Sequence, residues 1–209
     1  MIPAVEAIQR LRAGNERFVL RQLTHEVLLG RAHSPEHADG QNPFAIVLGC
    51  SDSRAPAELV FDQGLGDLFV IRVAGNIVAP SQVGSVEFAA ARFNTRLVVV
   101  LGHTKCGAVE ATLEVMRGTA TAESRNLQSI VDRIRPSMEA LMQTDLRNDP
   151  VELMRQAVRA NVRASVNQLK HGSDILEGLI ARHGLLVVGA EYSLGTGRVD
   201  FFDGLPDES

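Results

Sequence analysis

Apolar residues in this chain gather into four short runs, separated by longer stretches in which they recur at helical spacing. The runs are Phe44–Leu48, Leu68–Val73, Leu97–Leu101 and Leu185–Ala190. They are rich in β-branched residues, the pattern of strands buried on both faces of a parallel sheet. Between them lie amphipathic segments. Val5, Ile8, Leu11, Phe18 and Val19 predict a helix over Pro3 to Arg21, with Pro3 suited to a first turn. Ser81 is read as the N-cap of a helix running to Phe93. A helix opens at about Cys106 and ends at Gly118. Leu127, Ile130, Val131, Ile134 and Leu141 mark another over Asn126 to Gln143, bent or broken at Pro136. Asp149-Pro150 starts a long helix to about Lys170, closed by His171-Gly172, and Ser173 to His183 is closed by Gly184. Gly195-Thr-Gly197 turns the chain into a last strand, Arg198–Phe202, antiparallel to the fourth.

Strands alternating with helices predict an α/β fold. The expected architecture is a mostly parallel sheet of four strands plus one antiparallel edge strand, flanked by helices, with an N-terminal helical arm. Without repeats or linkers, residues 1–209 read as a single domain, with 1–40 as the helical arm and its loop. That arm has no obvious place in a compact βα unit, and packing on a neighbouring subunit would give it one, a first hint of an oligomer. The loop Gln22 to Asn42 carries His25, His33 and His37, which are read as solvent-exposed because no cysteine or carboxylate spacing supports a metal site there.

Composition narrows the function. The chain has 209 residues, 45% hydrophobic and 22% charged, with a net charge of −4. That acidity argues against a nucleic-acid partner. No segment reaches the ~20 apolar residues that span a bilayer. The charged, amphipathic N-terminal stretch is not a secretory signal, so a cytoplasmic location is expected. Arg155, Arg159 and Arg163 form a stripe at i, i+4 spacing, for which a solvated or interface helix face is a simpler reading than a phosphate site.

Two cysteines stand out because they are the only two, and each follows an apolar run within a polar cluster. The first cluster is Cys50-Ser-Asp52-Ser-Arg54; the second is Gly102-His103-Thr-Lys-Cys106-Gly107. Both fall where a parallel strand ends, the edge at which α/β sheets bind ligands. Two thiols and an imidazole suit zinc, with Asp52 either as fourth ligand or as hydrogen-bond partner of bound water. A helix start at Cys106 would favour its thiolate. An Asp52–Arg54 pair would hold the carboxylate off the metal. A buried structural cysteine, a closed structural zinc site and a redox pair are the competing readings; no C-x-x-C occurs to support the last.

The two clusters, with Phe69-Val-Ile-Arg72-Val-Ala-Gly-Asn76 and Gly84-Ser-Val-Glu87-Phe88, resemble the β-class carbonic anhydrases in order and spacing over about residues 41 to 110. The resemblance implies one zinc ion held by Cys50, His103 and Cys106. It implies an Asp52–Arg54 dyad that orients the zinc-bound hydroxide or, in a closed form, gives Asp52 to the metal. It implies a homo-oligomer, dimer or tetramer, with active sites at the interface. Gln41 matches a substrate-orienting glutamine supplied by the neighbouring subunit. Phe69 and Phe88 match positions that wall the CO2 pocket, and Gly107 falls among the substrate-binding positions. Some members carry a noncatalytic bicarbonate pocket built on a tryptophan; here that position is Val47, with Arg72 and Tyr192 at the companion positions.

The expected function is reversible hydration of CO2 to bicarbonate and a proton by zinc-bound hydroxide. Hydrolysis of COS or CS2 on the same scaffold is one alternative. A non-catalytic zinc-binding α/β module is another. No membrane or nucleic-acid partner is expected.

Overall fold

The computed structural model describes residues 2–24 and 40–206. The three loop histidines, His25, His33 and His37, lie outside them. Five strands form one sheet in the order β2-β1-β3-β4-β5. They are β1 (Ala45–Gly49), β2 (Leu68–Arg72), β3 (Leu97–His103), β4 (Leu186–Tyr192) and β5 (Val199–Asp203). The first four pair in parallel and β5 joins β4 antiparallel, as the sequence predicts. Each residue of β1 and β3 is buried, because helices cover both faces and leave no wet side.

The helices are α1 (Ala4–Val19), α2 (Ala57–Val60), α3 (Pro80–Arg92), α4 (Gly107–Arg117), α5 (Arg125–Ile134), α6 (Glu139–Met142), α7 (Pro150–His171) and α8 (Asp174–His183). The stretch expected to bend at Pro136 is broken there. A 3-10 turn over Arg135–Ser137 separates α5 from α6, because proline supplies no N–H to the helix ladder. Ser81 is not a cap. Ala79 precedes α3 and Pro80 takes its first position, where a missing N–H costs nothing. Asp149 caps α7 by accepting from Val151 and Glu152, and Ser173 caps α8 by accepting from Leu176. Each such cap is worth about 1 kcal/mol.

The N-terminal helix has a place within the chain's own fold. Within the chain α1 lies on its own sheet, with Ala7, Ile8 and Leu11 buried in the same cluster as Val99 and Val188. Asn15 pins it: Nδ2 donates to the carbonyls of Val60 and Gly197, and Oδ1 accepts from the Val199 N–H. The last of these partners is 184 positions away in the chain. The arginine stripe on α7 is internally neutralised. Arg155 pairs with Glu152, Arg159 with Glu191 and Asp200, and Arg163 lies 4.0 Å from Asp203.

Candidate metal centre

Parallel pairing brings the two polar clusters together. Gly49 sits between Arg72 and Leu101 in register, so Cys50 leaves β1 beside the end of β3. β3 runs two residues further than the apolar run predicts and ends at His103, which is 1% exposed. Gly102 is required just before it: a Cβ there would come within 2.5 Å of Val162 on α7. After His103 the chain is held by Thr104, whose N–H donates to the Tyr192 carbonyl and whose hydroxyl accepts from the Leu194 N–H. Lys105 adopts φ 55°, which turns Cys106 back to the first position before α4.

The result is a triangle of donors. One ligand atom each from Cys50, His103 and Cys106 lie within 4.8 Å of one another, and all three residues are buried. The sulfurs are 4.0 Å apart and both cysteines are free. That is about twice the ~2.05 Å of a disulfide. It matches the roughly 3.8 Å expected between two sulfurs at 2.3 Å from a tetrahedral ion. His103 Nδ1 bonds the Thr104 carbonyl, which makes it the protonated nitrogen and leaves the lone pair on Nε2. Nε2 is buried and has no hydrogen-bond partner among the described residues. An orphaned imidazole nitrogen beside two buried sulfurs fits a thiophilic dication.

Electrostatics agree with that fit. The Cys50 thiol is pulled down to about 4, first by its hydrogen bond with Cys106 and then by His103 and the N–H groups of Gly75 and Asp52. Cys106 is pushed up by the same shared hydrogen bond and by burial. A cation at the triangle would take the place of the hydrogen bond between the two sulfurs. Asp52 lies at the rim, with Oδ2 3.8 Å from His103 Nε2. Arg54 grips the carboxylate through Nε to Oδ1 at 2.9 Å and Nη2 to Oδ2 at 2.7 Å, while its backbone N–H also donates to Oδ1. This pairing holds Asp52 well below the usual carboxylate range.

The structure also assigns Arg72 a place that its position in an apolar run does not reveal. Its Nε donates to the Cys50 carbonyl at 3.0 Å and its Nη2 to the Asp52 carbonyl at 2.6 Å. The turn carrying Cys50 and Asp52 is therefore clamped from the neighbouring strand. A charged residue interrupting the run Leu68–Val73 was the available signal. A largely apolar cavity of about 480 Å³ lies between α4 and α5, lined by Ala74, Gly107, Ala108, Ala111, Leu127 and Ile130 among others.

Three expected site residues are not brought to the triangle within the chain. Gln41 lies off the N-terminal end of β1 and Cys50 off its C-terminal end, at least a strand length apart, about 16 Å. Phe69 pairs in register with Ile46, four residues before Cys50 and so roughly 13 Å along the strand. Phe69, Phe88 and Phe93 form an aromatic ledge with ring centroids 5.6–6.3 Å apart, and Phe88 is 54% exposed.

Comparison with known proteins decides the family. The family model described as carbonic anhydrase matches residues 45–199. The chain belongs to the carbonic anhydrase family. It is 37% identical over 198 residues to carbonic anhydrase 2 of Mycobacterium tuberculosis, covering 93% of this chain and 90% of that one. It is also 37% identical over 204 residues to the carbonic anhydrase of Mycolicibacterium smegmatis, covering 97% and 95%. Among solved structures, the β-carbonic anhydrase CafA of Aspergillus fumigatus superposes with a TM-score of 0.74 at 25% identity, covering 98% of this chain and 93% of that one. A solved chain described among two tetrameric β-carbonic anhydrases from Sordaria macrospora shares the fold at a TM-score of 0.73 and 23% identity, covering 94% and 97%. The β-class resemblance of the sequence motifs is thereby borne out. Among the described residues of this carbonic anhydrase, no helix is long and apolar enough to cross a membrane.

Proposed function

We propose that this chain catalyses the reversible hydration of CO2 to bicarbonate and a proton, with one zinc ion held by Cys50, His103 and Cys106. One observation carries the reading: the buried donor triangle has an ion-paired carboxylate 3.8 Å from its orphaned nitrogen. Three protein donors leave one tetrahedral position for a small reactant, the arrangement of catalytic rather than structural sites. Bound zinc supplies a water acidified enough to serve as a nucleophile near neutral pH.

The chain's own residues then orient and protect. Arg54 occupies both Asp52 oxygens from outside, so the carboxylate is kept from moving onto the triangle. Oδ2 retains a lone pair that can accept from the reacting water and fix its orientation. Arg72 holds the Asp52 backbone while this happens.

Gln41 and the phenylalanine ledge complete the pocket from a second copy, since Gln41 lies off the far end of β1 and Phe69 pairs with Ile46, four residues before Cys50. We therefore read the working form as a homo-oligomer with shared sites. The two free thiols, 4.0 Å apart, support reading its compartment as a reducing cytoplasm. Stopped-flow CO2 hydration with elemental analysis on the same sample tests the proposal. One zinc per chain with rapid hydration is expected. A fully zinc-loaded protein that fails to hydrate CO2 at any pH at which it stays folded overturns it.

A further inference from the structure

We propose that Asn161, with Ser165, positions the Gly75 N–H against the Cys50 sulfur and so sets how strongly that sulfur donates to a bound metal. The inference rests on the reading of Cys50 as a metal ligand.

The Gly75 N–H donates to Cys50 Sγ across 3.4 Å. It is aimed there by an unusual turn, Ala74–Asn76, in which Gly75 has φ 68° and Asn76 has φ 45°. Glycine is required at the first of these, because a Cβ would come within 2.7 Å of Ile134 Cδ1. Two successive left-handed residues hold only where surrounding structure over-determines them. Here one helix does so. Asn161 Nδ2 donates to the Gly75 carbonyl at 2.8 Å, and Ser165 Oγ donates to the Asn76 carbonyl at 3.1 Å. The two side chains are one turn apart on α7 and share a face.

Both are buried, 2% and 4% exposed, on the face that also buries Val158, Val162 and Val166. Polar side chains in such a setting are costly unless bonded. Their bonds go to the two carbonyls of the turn that faces the sulfur. An N–H donated to a thiolate withdraws electron density from it. Removing the grip on the turn loosens that hydrogen bond and leaves a more electron-rich, less firmly held sulfur. Asn161 and Ser165 are thus positioning residues that act through Gly75.

Cobalt(II) substitution reads this directly. Wild-type protein should show thiolate-to-cobalt charge-transfer absorption; its absence would overturn the ligand reading itself. With that absorption present, Asn161→Ala should move it to longer wavelength, and zinc affinity by chelator competition should fall about tenfold. Ser165→Ala should move the band in the same direction by less, and it carries the test if Asn161→Ala does not fold. Val158→Ala is the control, since Val158 packs in the same cluster as Cys50 but is an apolar side chain that cannot bond the turn. It should lose stability without moving the band. Unshifted bands in the folded, cobalt-loaded Asn161 and Ser165 variants would overturn the inference, as would an equal shift in Val158→Ala.

Discussion

Replacing Cys106 with serine should separate the fold of this protein from its metal. Cys106 occupies the position before α4, with φ −71° and ψ 116°, and its sulfur makes no capping hydrogen bond. The N–H groups of Ala108 and Val109 nonetheless face that sulfur. Serine is a strong N-cap, so its shorter hydroxyl should satisfy one of them and stabilise the metal-free protein by about 0.5–1 kcal/mol. The same change removes one of two thiolates. At zinc concentrations a thousandfold above the dissociation constant, wild-type protein gains about 4 kcal/mol from binding. For a chain of this size that corresponds to roughly 8–16 °C in Tm. The assay is thermal unfolding of both proteins in chelator and in zinc, with elemental analysis. In chelator the variant should melt at or slightly above wild type. In zinc only wild type should rise by the full amount. A variant that binds zinc at full occupancy and rises equally would refute the assignment of Cys106 as a ligand.

Three further outcomes follow from the same geometry. Arg54→Met should keep its zinc but lose about tenfold or more in CO2 hydration, the loss of a charge-assisted hydrogen bond to Asp52; unchanged kcat/KM with full metal would count against the dyad. Asp52 has a folded pKa depressed by Arg54, so its contribution to stability is present above the ordinary carboxylate pKa of about 4 and is lost as pH falls through the lower folded value. Acid unfolding of zinc-free Asp52→Asn should accordingly show a shallower pH dependence below about 4 than wild type, and identical slopes in denaturant titrations would exclude that role. Mixing inactive Cys50→Ser subunits with inactive Gln41→Ala subunits should restore activity in mixed oligomers if the residues act across a subunit boundary; demonstrated mixed oligomers without rescue would exclude it.

The strands were legible because burial on both faces writes itself as short apolar runs, and all five were located within two residues at each end. β3 ran on through Gly102 and His103, which sequence reading assigned to a loop. Polar residues at a strand end look like loop until their neighbours in the sheet are known. The short α2 was missed, since four residues carry no periodicity. The donor set Cys50, His103 and Cys106 was readable because each residue type has a narrow chemistry and each followed a strand. Asn161 and Ser165 were not readable as site residues. Their partners are main-chain carbonyls, and a carbonyl leaves no mark in the sequence.

The placement of site residues along β1 has a consequence for how the protein must work. Everything that holds a metal or orients a nucleophile sits beyond the C-terminal ends of β1 and β3, within one chain and rigidly bonded to it. Gln41 sits beyond the opposite end of β1, half-buried Phe69 lies part-way along edge strand β2, and exposed Phe88 packs against it from α3. On the function proposed above, a single subunit assembles the metal-holding half of the site, and Gln41 with the phenylalanine ledge serves the site of a neighbouring copy. Loss of assembly should then weaken substrate capture while leaving metal binding intact. Metal content and activity would separate on dilution, a behaviour that neither a self-sufficient monomer nor a metal site at the interface would show.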